Sequence, residues 1–165
     1  MPQLLLTIIQ SFLLIHRLAC QIHAQLFECR RIDFRKQHGG MNFAVLQLFQ
    51  LLHRPIIFYP VEHQEMKEGV LYKACDFPAI KEQLTCVEET AVARWVFTNN
   101  KNAGATTNTL SHSKALYLAI RKGSCVYGVV GIMINASNDL LPFEKNLLKA
   151  ILNETALAMS SIAQQ

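Results

Sequence analysis

Three groups of residues in this chain have types and spacings that could do chemistry. Trp95, Phe97 and Tyr117 bracket a polar run that contains Thr106, Thr107 and Thr109. Aromatic walls with a few hydroxyls are ordinary pocket chemistry, so these six are the candidate ligand-binding residues. Trp95 also suits the apolar face of a helix, where large aromatics commonly pack as core. Cys75, Cys86 and Cys125 form the second group. An exposed, reactive thiol beside a resolving thiol could carry redox chemistry. The plainer alternative places Cys125 in the core on a strand and Cys86 at a helix start. The third group is His16, Cys20 and His23, spaced i, i+4 and i+7 as on one helical face. Imidazole and thiolate could hold a metal there, but no fourth ligand is evident. No metal and no cofactor are therefore assigned. Glu88 and Glu89 are adjacent, cannot share a helix face, and read as favourable charge in a first helical turn rather than as a catalytic dyad. No catalytic residue is assigned.

The elements that must position these groups follow from patterning. Val92, Trp95 and Val96 recur at helical spacing, and Asn99 and Asn100 followed by Gly104 predict the end of that helix. Thr85, three residues before Glu88, reads as its capping box. Leu116, Leu118 and Ile120 alternate as in a strand. The Thr/Asn loop is thus held between a helix end and a strand start, where binding groups tend to sit. Residues 116–121 and 125–134 predict two strands joined by a tight turn at Lys122-Gly123-Ser124. Gly128 and Gly131 inside the second strand suggest a bulge or a close backbone approach.

Upstream, an apolar helix ends at Pro55. Residues 56–59 read as a central strand, 62–69 as a turn, 70–72 as a returning strand and 76–84 as irregular. The last helix begins near Asp139, with Pro142 in its first turn. Phe143, Leu147, Ile151, Ala158 and Ile162 fall on one face that packs on the sheet, and Leu148, Leu152 and Met159 form a second row left for another surface. The order helix, strand, strand, helix, strand, strand, helix argues for α+β with a central antiparallel sheet flanked by helices.

Composition narrows the class. Of 165 residues, 51% are hydrophobic and 17% charged, which excludes a disordered chain. The net charge of +4 is mild, and no basic patch interleaved with aromatics follows Arg54, so no nucleic acid is expected. Five widely spaced cysteines without a Cys-x-x-Cys pair suit reduced thiols in a cytosolic setting. Residues 4–15 are apolar but too few to span a bilayer, and basic residues follow them, as at the cytoplasmic end of a membrane span. An amphipathic helix packed on the domain or on a partner explains the same pattern. His38-Gly39-Gly40 is the clearest punctuation. It divides the chain into an extra N-terminal helical or membrane-proximal segment, 1–40, and a domain, 41–165.

Trp95-Val96-Phe97, Ala103-Gly104, Thr107-Asn108-Thr109-Leu110, Tyr117-Leu118 and Gly128-Val129-Val130-Gly131 resemble the cytoplasmic sensor domain of KdpD-type, potassium-responsive sensor histidine kinases. The likeness reaches back through Leu51 to Pro60 and runs to the C-terminus. It implies a GAF-like fold, cytoplasmic placement at the inner face of the membrane, and a final helix that leads toward a kinase core. The kinase's own Ser/His-Asp-hydrophobic-Arg-Thr-Pro box and glycine-rich ATP boxes are absent from the sequence. The expected role is a non-catalytic sensory module in potassium or osmotic signalling. Expected partners are the parent's kinase core, a second copy through the C-terminal helix, a small-molecule ligand, and the membrane through residues 1–40. Two alternatives stay open: a stand-alone ligand-binding GAF domain, and a GAF-fold, thiol-dependent methionine sulfoxide reductase.

Overall fold

A computed structural model describes residues 37–72, 78–134 and 139–163. Residues 1–36 of the predicted N-terminal segment, with His16, Cys20 and His23, lie outside them, as do Cys75 and the side chain of Ile162. In chain order the described elements are α1 (Gln37–Leu52), β1 (Ile56–Glu62), β2 (Glu65–Met66), β3 (Val70–Tyr72) and α2 (Pro78–Thr85). Then come α3 (Val87–Asn99), β4 (Ala103–Gly104), β5 (Ala115–Lys122), β6 (Cys125–Met133) and α4 (Pro142–Ala163). The strands form one six-stranded sheet in the order β2-β1-β6-β5-β4, with β3 also against β1. Every pairing is antiparallel, as the α+β reading requires.

Both faces of the sheet are covered. Ile56 and Phe58 of β1, Leu116, Leu118 and Ile120 of β5, and Val130 and Ile132 of β6 pack with α1 and α4. Ile57 and Tyr59, Ala115, Tyr117 and Ala119, and Val129 pack with α2 and α3. Two buried faces explain why these strands read as nearly continuous apolar runs rather than as an alternation.

The glycines of β6 are close approaches, as expected. A Cβ on Gly128 would lie 2.6 Å from the Phe58 ring, and one on Gly131 would lie 2.4 Å from Tyr117. A bulge is present as well: Ile120 pairs with Gly128 but Arg121 with Val126, which leaves Tyr127 as the extra residue. The turn is the two residues Gly123 and Ser124, with Gly123 at φ 60°.

Four local expectations are corrected. Residues 76–84 are not irregular, because α2 forms from Pro78. Proline suits a first helical position, and Leu84 anchors this short helix in the core beside Ile80. Thr85 does not cap α3. It belongs to α2, where its hydroxyl donates to Lys81 O at 2.7 Å, and the N-cap of α3 is Cys86 without a side-chain cap bond. Residues 62–69 are more than a turn, since His63 and Gln64 take φ of 50° and 63° and lead into β2. Paired positive φ values make a two-residue hairpin turn that Gly or Asn usually signals, so sequence gave no cue. Gly39 and Gly40 lie within the first turn of α1 rather than ahead of it.

The fifth correction concerns α4, where the second row is not left for another surface. α4 packs on β5 and against α1. Leu148, Leu152 and Met159 are buried with Leu147 and Ile151 beside Val45, Leu48 and Leu52. Phe143, expected on the buried face, is exposed instead.

Candidate functional site

The inward face of α3 carries Val92, Ala93 and Val96, all buried, and one carboxylate. Glu89 is 4% exposed. It lies in the first turn of the helix, where the helix dipole favours an anion. Burial requires it to be satisfied. Tyr117 Oη and Ser113 Oγ donate to Oε2 at 2.9 and 2.8 Å, and the backbone N–H of Lys114 donates to Oε1 at 2.7 Å. These donors come from the end of the Thr/Asn loop and from β5, so a single side chain on α3 holds the loop and the strand together.

The loop is tightly folded. Gly104 N donates to Thr109 O at 2.8 Å, and Ala105 N to Ala115 O at 2.9 Å. The Thr107 hydroxyl lies 2.7 Å from Gly104 O and 2.8 Å from Thr109 O, and accepts from Thr109 N at 3.2 Å. Thr106 and Leu110 adopt φ of 63° and 53°. A β-branched and a bulky residue in left-handed geometry persist only where surrounding bonds fix them. Gly104, at φ 96°, could not be replaced, because a Cβ would lie 2.2 Å from Ala115 O.

Beneath α3 the polar cluster continues. Burial, then the charge of Glu89, pushes the Tyr117 phenol far above its ordinary range, so it remains a proton donor. Burial also raises Tyr59, whose hydroxyl neighbours Thr90, Glu89 and Tyr117 without forming a hydrogen bond of good geometry. The Thr90 hydroxyl donates instead to Cys86 O at 3.1 Å.

The outer side of α3 borders a cleft of about 610 Å³ lined by Thr85, Val87, Thr90, Ala91, Arg94, Trp95, Thr98 and Asn99. Of the six predicted ligand-binding residues, Trp95 alone is among these. Phe97 packs on the α3-side core. Tyr117 is buried on β5, and Thr106, Thr107 and Thr109 belong to the loop. The structure thus joins Tyr117 to the loop through Glu89, while Trp95 lines the cleft and, half-buried, also packs against the α3-side core. Glu89 was missed because an acid in a first helical turn reads as surface charge. Its spacing from Val92, Ala93 and Val96, at i+3, i+4 and i+7, was the available signal.

The thiols are separated. Cys86 is the N-cap of α3, as expected, whereas Cys125 is exposed on β6 rather than core. Asn100, just past the other end of α3, donates from Nδ2 to Gly123 O at 2.9 Å, beside Cys125. A helix of 13 residues at ~1.5 Å per residue holds the two thiols roughly 20 Å apart, far beyond disulfide reach. Among the described residues no three His, Cys, Asp or Glu side chains gather as a metal site, and no helix is long and apolar enough to cross a membrane.

No protein-family model matches the chain. The sensor protein KdpD of Clostridium acetobutylicum is 27% identical over 120 residues, which span 72% of this chain and 13% of that protein. The crystal structure of the native GAF domain of the potassium sensor histidine kinase KdpD from Escherichia coli superposes with a TM-score of 0.57 at 16% identity. That match covers 88% of this chain and 95% of the other. A GAF domain from Synechocystis reaches a TM-score of 0.49 at 14% identity, over 78% and 95% of the two chains. The fold is therefore that of a GAF domain, and in sequence the chain is similar to a KdpD sensor protein, of which it spans a small part.

Proposed function

We propose that this chain is the non-catalytic sensory and regulatory module of a KdpD-type sensor histidine kinase. It acts in potassium or osmotic signalling at the cytoplasmic face of the membrane, and the kinase core is supplied by the rest of the parent protein. The observation that carries this reading is the sequence match to a KdpD sensor protein, which extends over 72% of the chain.

The geometry suits regulation better than catalysis. Glu89 is 4% exposed and accepts from three neutral donors of the loop and β5, which commits its carboxylate to holding structure rather than to meeting a substrate. A small-molecule ligand meets Trp95, Arg94 and the threonine hydroxyls in the α3 cleft. The loop threonines and Tyr117 answer to α3 through Glu89. A second copy packs along α4 through exposed residues such as Phe143 and Leu157, since Leu148 and Leu152 are core. Residues 1–40 bring the module to the membrane surface. No observation favours the thiol-dependent reductase, whose two described cysteines lie at opposite ends of α3.

Incubation of the purified chain with labelled ATP tests the non-catalytic part. The expected result is no phosphate incorporation and no ATP hydrolysis above buffer. Acid-labile or acid-stable label on the protein would overturn it.

A further inference from the structure

The sheet separates α3 from α4, so the position of one can reach the other through the sheet or around its end. One end of the sheet holds polar contacts to both helices. β5 alternates faces: Tyr117 and Ala119 point to the α3 side, and Leu118 and Ile120 to the α4 side. Continuing the alternation, Arg121 falls on the α3 side and Lys122 on the α4 side. The contacts agree. Arg121 donates to the carbonyl of Asn100, the residue that caps α3. Lys122 Nζ donates to Ser160 Oγ at 2.9 Å, in the last turn of α4. The Asn100 side chain returns a hydrogen bond to Gly123 O at 2.9 Å, on the turn itself.

Charge gives the arrangement its reason. Neither α3 nor α4 carries a basic residue in its own last turn. The negative end of a helix dipole is stabilised by a nearby cation. Adjacent residues of one hairpin thus supply a cation to the C-terminal end of α3 and a hydrogen bond to α4 at Ser160. The bulge at Tyr127 lies beside Arg121, where it adds local twist. Glu89 holds the Thr/Asn loop at the other end of α3, so the loop, α3, the hairpin tip and α4 are linked in series.

We infer that the tip of the β5–β6 hairpin is the connector that transmits the position of α3 to the C-terminal end of α4, with Arg121 and Lys122 as its two couplings. Its use in signalling rests on the sensory role proposed above, whereas the coupling itself is a property of this chain alone.

Amide hydrogen exchange on the full chain, read residue by residue by NMR, tests it. Arg121→Gln frees the tip from α3 and should speed exchange at residues 157–163 of α4 by about fivefold, the low end of ordinary coupling between sites. In a Lys122→Gln background the same substitution should have no further effect there. Coupling is reciprocal, so Lys122→Gln should in turn speed exchange at residues 97–100. Arg121→Lys, which keeps the cation, should restore slow exchange at α4. Both side chains are at the surface, and circular dichroism will confirm that each variant is folded. Unchanged exchange in α4 on Arg121→Gln would overturn the proposal. So would an equal effect with and without Lys122, which would place the route elsewhere. A kinase insensitive to this domain would leave the exchange result intact, so the two proposals fail separately.

Discussion

Leu148→Glu abolishes the folded state instead of dissociating a dimer. Leu148 is 2% exposed and Leu152 6%. Both lie in one apolar cluster with Val45, Leu48 and Leu52 of α1 and Leu118 and Ile120 of β5. Removing a buried leucine side chain alone costs about 2–5 kcal/mol. Placing an unpaired carboxylate in the same space adds several more, unless the group takes up a proton. The sum is comparable with the ~5–15 kcal/mol that stabilises an ordinary domain. Circular dichroism of Leu148→Glu should show no cooperative melt at neutral pH, and Leu152→Glu should behave alike. Leu157→Glu is the control, since Leu157 is 45% exposed on the outer side of the same helix. It should change stability by less than about 1 kcal/mol, as surface substitutions do, and should dissociate any dimer formed through that side. A folded Leu148→Glu monomer would mean that the α1–α4 packing is wrong.

That contrast marks where sequence was informative and where it was not. The two rows of α4 are legible as apolar, but a row's destination depends on which neighbour covers it. α1 lies about a hundred residues earlier in the chain, and periodicity carries no information on that pairing. The hairpin Ala115–Lys122 to Cys125–Met133 was legible to within a residue or two. Its turn residues and its glycines report local geometry, which neighbouring sequence determines. The helix stop at Asn99 and Asn100 was legible for the same reason, with Asn100 in left-handed geometry at φ 53°. The α2–α3 junction was not. Two helices abut with only Cys86 between them, so Thr85 completes one helix where a capping motif would start the other.

The candidate site was half legible. Tyr117 meets the end of the loop, Ser113 and Lys114, on Glu89, whereas the Thr107 hydroxyl bonds within the loop to Gly104 and Thr109. What organises the assembly is Glu89, whose partners lie 24 to 28 residues away in sequence. A charged residue on the apolar stripe of a helix signals a buried partner set, but which donors answer it is decided only by folding.

Glu89→Ala should therefore be among the most damaging polar substitutions in the chain. It removes three hydrogen bonds and strands the Tyr117 hydroxyl and the Lys114 N–H, while Ser113 Oγ still has Ala115 O as an acceptor 2.9 Å away. Hydrogen bonds to a charged group contribute about 1.5–3 kcal/mol each, and a donor left buried without a partner costs about 1–3. Water can reach the loop side once the carboxylate is gone, so the three do not simply add. A loss of roughly 4 kcal/mol is expected in urea unfolding. That corresponds to a melting temperature lower by roughly 8–16 °C for a chain of this length. Glu89→Gln keeps the shape and one acceptor oxygen, and should cost about 1–2 kcal/mol. Tyr117→Phe removes a donor without stranding one, and should cost less than Glu89→Ala. Because the two groups share one bond, the double variant should fall short of additivity by about 1 kcal/mol or more. Additive costs would show that Glu89 and Tyr117 act separately, and that α3 is not tied to β5 through them.

The sensory role is tested most directly by domain exchange in the potassium sensor histidine kinase KdpD of Escherichia coli. Its GAF domain is replaced by residues 37–163 of this chain, and autophosphorylation is followed with labelled ATP across a potassium titration. A working chimera whose autophosphorylation still changes with potassium, and whose response is lost on Glu89→Ala, is the predicted result. A chimera that carries a folded GAF domain and an active kinase core, yet phosphorylates at one constant rate with or without Glu89, would contradict it.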